Sequence, residues 1–305
     1  MHTIDPRHLI ALEAVVRHGS FAAAADELAC TPSAVSQQIA EIERRVGIRV
    51  LDRRPVRATE AGQVLLGAEL AVRTATAIAM QELSSLSKGL AGRVRVGAFS
   101  SAAAGVVPCA LASLRRTHPN VRVHLTQLET EMSYAQILRG DLDLALTFDY
   151  DRAPRKPPAR IRRSLVVRDP VLVVLPVAHR LARRERVHLA DLANDAWIES
   201  SIVDRQLELL AQLSRTPGFK QRVDFAGDDF QTVLGLVDQG LGIALLPKLA
   251  TLRAPPGIVT KPIVENPLTR FIYTSRLESC EAPASLAAFE QKLADVLHTT
   301  LDTGR

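Results

Sequence analysis

The stretch from Gly19 to Gly47, GSFAAAADELACTPSAVSQQIAEIERRVG, constrains the fold more than any other part of the chain, because its punctuation leaves room only for short helices. Gly19 can end a helix in the left-handed conformation, and Ser20 can cap the next one. Phe21, Ala24, Ala25 and Leu28 then recur at helical spacing. Thr31 followed by Pro32 is a second start signal: a capping hydroxyl, then a proline whose missing N–H is not needed in a first turn. The helix it opens runs to about Val46, ahead of Gly47. Upstream, Leu9, Leu12, Val15 and Val16 mark a helix over residues 5–18. Downstream, Ile48 to Leu51 and Val56 to Ala58 are short extended candidates around Arg53, Arg54 and Pro55, which predicts a small β-wing.

Two helices joined by a tight turn, Ser20 to about Ile39, expose one face of the second for the major groove of DNA. Thr31, Pro32, Ser33, Ser36, Gln37 and Gln38 sit early in that helix. Hydroxyl and amide side chains there can reach base edges or phosphates, with Gln able to pair with adenine, while Ala34, Val35 and Ile39 suit inward packing or thymine methyls. Residues 1–60 carry as many acidic as basic side chains, yet Arg44, Arg45, Arg49, Arg53, Arg54 and Arg57 crowd together against Asp52. A lone basic run is usually a solvated face; directly after a helix-turn-helix it reads as a source of phosphate contacts, from Arg53, Arg54 and Arg57 above all. Ala22 to Ala25 read as close helix packing.

With 305 residues, 47% of them hydrophobic, the chain exceeds one ordinary domain. The net charge of +5 decides nothing by itself. Cys30, Cys109 and Cys280 stand far apart, with no CxxC, and read as reduced thiols outside any disulfide or zinc framework. Neither a secretory leader nor an apolar run of membrane-spanning length is present, so the expected compartment is the cytoplasm, away from membranes.

From Thr59 to about Lys88 the chain is free of proline, and Leu65, Ala68, Val72, Ala75, Ala79, Leu83 and Leu86 keep a period of three to four. Such a helix serves either as a core helix or as a dimerising linker; its position between two domain edges favours the linker. Beyond Gly89, apolar runs at Val94 to Phe99, Val121 to Leu125, Leu142 to Phe148, Leu172 to Leu175 and Ile243 to Leu246 alternate with helical stretches, the βαβ pattern of a parallel sheet. Asp149 to Arg163, with Pro154, Pro157 and Pro158, reads as a loop or crossover between two subdomains.

The chain resembles the LysR-type transcriptional regulators. The resemblance rests on Gly19 to Gly47 and on ATEAG (Ala58 to Gly62). It continues in order through the HPN of His118 to Asn120, the GDLDLAL of Gly140 to Leu146, the LPVAHRLA of Leu175 to Ala182 and the LVDQGLGIALLP of Leu236 to Pro247. Two departures are Val50-Leu51 with a short DRRPVRA where the family has a Leu-Phe pair and a longer wing, and Ile42 in place of a usual Leu. The resemblance implies an α/β protein with an N-terminal all-α winged helix-turn-helix (residues 1–58), a linker or dimerisation helix (59–90) and a periplasmic-binding-protein-like, Rossmann-like effector domain (91–305). Its lobe I would span about 91–162 and 266–298, and lobe II about 163–265.

It also implies a small-molecule co-inducer and no cofactor. The expected partners are double-stranded promoter DNA, a second copy of the chain in a dimer or a tetramer of two dimers, and RNA polymerase. Ligands in such sheets bind beyond the carboxyl ends of strands. Ser101 and Thr130 match effector-pocket positions, with Ser100, Thr147, Ser200, Ser201 and Asp228 as neighbours; for each, a helix cap or a surface hydroxyl is the plain alternative. No GxSxG, HExxH, Walker or paired-carboxylate motif appears, and a regulator, not an enzyme, is expected. The rival readings are a solute-binding receptor, opposed by the missing leader, and a DNA-binding protein without effector, opposed by the size of the α/β half.

Overall fold

In the computed structural model, which describes residues 4–88, 92–151, 154–200, 221–225, 229–265, 268–278 and 282–302, the first helix falls where the apolar spacing over residues 5–18 put it. Helix α1 (Pro6–His18) opens behind Asp5, whose carboxylate accepts the N–H of Arg7 at 2.9 Å. Helix α2 (Phe21–Glu27) is capped by Ser20, and α3 (Pro32–Val46) by Thr31, whose Oγ1 accepts the N–H of Ala34 at 3.2 Å. Helices α1 and α3 end at left-handed glycines, Gly19 with φ of 62° and Gly47 with φ of 74°. Leu12, Val15, Ala24, Ala25, Val35, Ile39 and Ile42 are buried together in one core. Ala24 and Ala25 thus pack helices, as their size suggested, while Ala23 is half-buried and Ala22 is exposed.

The wing is a two-stranded antiparallel hairpin, β1 (Leu51–Arg53) with β2 (Val56–Ala58), turning at Arg54 and Pro55. It is shorter than the sequence suggested, since Ile48 stays exposed and outside the pairing. Helix α4 (Glu60–Lys88) follows at once. Its start is tied to the chain before β1 by Thr59, whose hydroxyl donates to the carbonyl of Arg49 at 2.8 Å and accepts the N–H of Gly62 at 3.2 Å. A Cβ at Gly62 would stand 2.1 Å from the carbonyl oxygen of Val50, so only glycine lets the helix lie this close. Gly62→Ala is expected to destabilise this unit by about 1–3 kcal/mol through overpacking, seen as an earlier loss of helical circular dichroism on heating.

The chain separates into two compact units, one over Met1–Ser87 and the other over Lys88–Glu278 and Ala282–Arg305. In the second, β3 (Gly92–Ala98), β4 (Val121–Gln127) and β5 (Leu144–Tyr150) are parallel, with β3 in the middle. Helices α5 (Ser100–Gly105), α6 (Val107–Thr117) and α7 (Thr130–Arg139) connect them. Strand β11 (Thr269–Leu277) inserts antiparallel between β5 and β6 (Ile161–Pro176). The last helix, α9 (Ala284–Asp302), buries Leu286, Phe289, Leu293 and Leu297 in the same core as Val94, Val96, Leu144 and Leu146.

The second lobe holds β7 (Trp197–Ser200) and β8 (Gln221–Phe225), which pair in parallel, helix α8 (Phe230–Asp238), β9 (Ala244–Pro247) and β10 (Ile258–Lys261). Both β9 and β10 pair antiparallel with the far half of β6. Trp197 is buried there, its Nε1 donating to the carbonyl of Leu192 at 3.2 Å.

Two sequence expectations need correction. The sheet is mixed: β11 runs against its neighbours in lobe I and β6 against its neighbours in lobe II, because each arrives from the other lobe. The division at residues 162/163 is also displaced. Strand β6 pairs with β11 as far as Pro170 and with β9 from Val171, so the crossing falls inside one uninterrupted strand. The proline-rich loop after Tyr150 instead joins β5 to β6 within lobe I. The GDLDLAL segment is held by Asp143, which accepts from the backbone N–H of Arg95 at 2.7 Å and from its Nη2 at 2.6 Å.

Candidate functional site: DNA-reading helix and sensor cavity

At about 100° per residue, the burial of Val35, Ile39 and Ile42 sets the inward face of α3 and therefore its outward one. Ser33, Gln37, Ala40 and Arg44 lie along the outward row and are exposed; Ser36 and Gln38 flank it on either side and are half-buried. Thr31 and Pro32 are exposed at the helix start, and the hydroxyls of Thr31 and Ser33 bond at 2.9 Å. The turn and the helix thus present a polar edge from Thr31 to Gln37.

The arginine cluster is less bare than the sequence window suggested. Arg44 and Arg45 both reach Glu41, at 2.6 and 2.5 Å, and their hydrogen bonds hold its carboxyl down to about 2. Arg57 pairs with Asp52 at 2.9 Å. Arg53 and Arg54 are exposed at the hairpin end, Arg53 with its guanidinium 6.0 Å from the ring of Phe21. Of the three wing arginines, Arg57 has a carboxylate contact, and among the described residues no ion pair is formed by Arg53 or Arg54.

In the second unit, a cavity of about 360 Å³ opens beyond the carboxyl end of β3. Ser100, Ser101 and Gln127 line it from lobe I; Asp229, Phe230, Gln231, Leu249 and Arg253 line it from lobe II. Asp229 caps α8, accepting the N–H groups of Gln231 and Thr232 at 3.1 and 3.2 Å; the Thr232 hydroxyl, donating at 2.8 Å, and then these backbone bonds hold its carboxyl below the usual range. Ser100 and Ser101 are where the sequence placed them. Thr130 and Thr147 are not among the lining residues: the Thr130 hydroxyl accepts the N–H of Phe148 at 3.2 Å, and Thr147 is fully buried with its hydroxyl 2.7 Å from that of Ser275. Ser200 ends β7, with only its backbone described, and Ser201 and Asp228 lie outside the described residues.

Behind Ser101 is a group the sequence reading missed. Arg270, 1% exposed, donates from Nε and Nη2 to Asp169 Oδ2 at 3.0 and 2.6 Å, and from Nη2 to Ser101 Oγ at 3.0 Å. Its guanidinium carbon lies 4.8 and 5.2 Å from the ring centroids of Phe99 and Phe148. Asp169, itself 0% exposed, accepts the N–H of Leu249 at 3.1 Å through Oδ1. A signal existed: by strand alternation Asp169 shares a face with Val167, Val171 and Val173, and Arg270 with Ile272, so both charges had to point inward.

A helix-turn-helix with a polar outward edge, and a two-lobed α/β unit with a cavity at its strand ends, define a DNA-binding regulator with a sensing domain. Two family models match: the bacterial regulatory helix-turn-helix protein, lysR family, over residues 6–63, and the LysR substrate binding domain over residues 87–298. The chain belongs to the LysR-type transcriptional regulators. It is 30% identical over 253 residues to the HTH-type transcriptional regulator YnfL of Escherichia coli (strain K12), covering 80% of this chain and 82% of that one. It is 31% identical over 301 residues, 95% of both chains, to LrrA of Synechococcus elongatus, a probable HTH-type transcriptional regulator. Among solved structures, full-length LysG from Corynebacterium glutamicum with bound effector Arg superposes with a TM-score of 0.68 at 20% identity, covering 97% of this chain and 99% of that one.

Proposed function

We propose that this regulator reads promoter DNA with α3 and answers a small molecule held in the cavity between its lobes. In this reading Thr31, Pro32, Ser33, Ser36, Gln37 and Gln38 carry the base and phosphate contacts of the helix, with Arg53, Arg54 and Arg57 on flanking phosphates. The observation that carries it is the outward row of α3, exposed and polar at Ser33, Gln37 and Arg44. The domain division we adopt is 1–58, 59–90 and 91–305, with the lobes meeting at the crossing strands.

The effector site is built on Ser100 and Ser101, with Ser200, Ser201 and Asp228 as further candidates from the family resemblance. Asp229 and Arg253 on the facing wall suit a polar metabolite with hydrogen-bonding groups at both ends. The chain acts by binding and carries out no chemistry of its own. Assembly is through α4, on which Ala68, Val72, Ala75, Ala79 and Leu83 form an exposed apolar row within the first unit. Two such chains, or four, would span an interrupted inverted repeat, and an effector would alter contact with RNA polymerase by favouring one of two arrangements. The place of action is the cytoplasm, where the DNA is; among the described residues no helix is long and apolar enough to cross a membrane.

Genome-wide mapping of bound sites tests the reading, since the genes beside those sites name the pathway and hence the metabolites to try in a thermal-shift assay. A chain bound at discrete inverted repeats is the expected result; uniform, sequence-independent occupancy would overturn it. With a metabolite in hand, Ser101→Phe is expected to abolish its thermal shift and the transcriptional response while leaving the operator footprint unchanged.

A further inference from the structure

The cavity wall and the crossing strands meet at one buried group. Asp169 precedes the point in β6 where pairing passes from lobe I to lobe II, and Arg270 is the second residue of β11 after the return. The ends of the network, Ser101 in lobe I and Leu249, which follows β9 of lobe II and buries its side chain in the lobe I core, both line the cavity. We propose that Ser101, Arg270, Asp169 and the amide of Leu249 act as a relay, with Arg270 a positioning residue that couples occupancy at the Ser101 hydroxyl to lobe II.

The physical reason is burial. A guanidinium with water at hand replaces a lost partner at little cost, but Arg270, 1% exposed and packed against the rings of Phe99 and Phe148, cannot. When the Ser101 oxygen is withdrawn or engaged by another donor, an N–H of a charged group loses its acceptor, and Arg270 must shift on Asp169. Asp169 Oδ2 takes both bonds from Arg270 while Oδ1 holds Leu249, so turning the carboxylate to follow the guanidinium loosens the lobe II contact. A serine that merely filled space at the start of α5 would have no such reach.

Hydrogen–deuterium exchange on the full chain tests this without any effector. Although the relay extends the effector-site reading, failure to find a ligand would bear on that reading alone. In Ser101→Ala, peptides covering residues 246–252 are expected to exchange about tenfold faster, with residues 32–46 unchanged. Unchanged exchange over 246–252 would overturn the relay, and so would a uniform acceleration that reaches β3 to the same degree. The second arm uses Asp169→Leu with Arg270→Met, which removes both charges together and leaves no buried ion unpaired. In that background 246–252 should already exchange fast, and adding Ser101→Ala should change it by less than about twofold. A further tenfold change there would mean that Ser101 reaches Leu249 by another route, and the proposal would be wrong.

Discussion

Arg270→Ala is expected to destabilise the sensor unit by roughly 3–5 kcal/mol, because it leaves the carboxylate of Asp169 buried without its partner. The loss exceeds that of an ordinary core truncation in kind: a cavity forms beside the touching rings of Phe99 and Phe148, and an ion that water cannot reach stays behind. The chain's single tryptophan, Trp197, is buried in this unit, so its fluorescence during urea unfolding reports on the unit alone. An unfolding free energy within about 0.5 kcal/mol of the parent would mean that the pair is solvated in solution, contrary to its burial. The paired replacement, Asp169→Leu with Arg270→Met, is expected to fall close to the parent, since no charge is then stranded.

Ser36→Ala with Gln37→Ala is expected to weaken binding to mapped operator sites by about 10- to 100-fold, the worth of one well-placed base contact, while binding to unrelated duplex changes little. Gln37 supplies most of the effect because it stands on the outward row of α3; Ser36, at its flank, contributes through phosphate or sugar. Gel-shift titrations against operator and scrambled duplexes distinguish the cases, and equal losses on both would reassign the pair to the backbone. Arg53→Ala is expected to act the other way, lowering affinity for both duplexes and reducing the slope of log K against log salt by about one.

The DNA-binding half was legible because its elements are set by local chemistry. Thr31 before Pro32, Ser20 after Gly19 and Thr59 before α4 act within a few residues of themselves, and the caps at Ser20 and Thr31 lie where spacing placed them. The charge on that half was less so: Glu41, just outside the arginine stretch, takes up Arg44 and Arg45, an i,i+3 and i,i+4 effect that a linear window misses. In the sensor, the runs that became β3, β4, β5 and β9 were visible as apolar segments, but strand direction was not. A strand reads alike whichever way its neighbours run, and the crossing within β6 is announced by no glycine or loop. Thr147 shows the same limit at a site residue, since only the pairing of β5 with β11, which sets it opposite Tyr273, brings its hydroxyl to that of the diagonal Ser275 in the interior. Asp169 and Arg270 lie about a hundred residues apart, and their meeting is a property of topology alone.

The junction at Thr59 and Gly62 makes a lever of the first unit. Helix α4 has 29 residues and so extends about 43 Å, while its near end is clamped to Arg49 and Val50, just before the wing. A tilt of about 10° at the far end of such an arm swings the reading head through about 8 Å, roughly two base-pair steps along a duplex. For two chains joined along α4, a small change of angle at the joint becomes a change in the operator spacing the pair can straddle, and the stiffness of one threonine and one glycine sets how faithfully it is delivered.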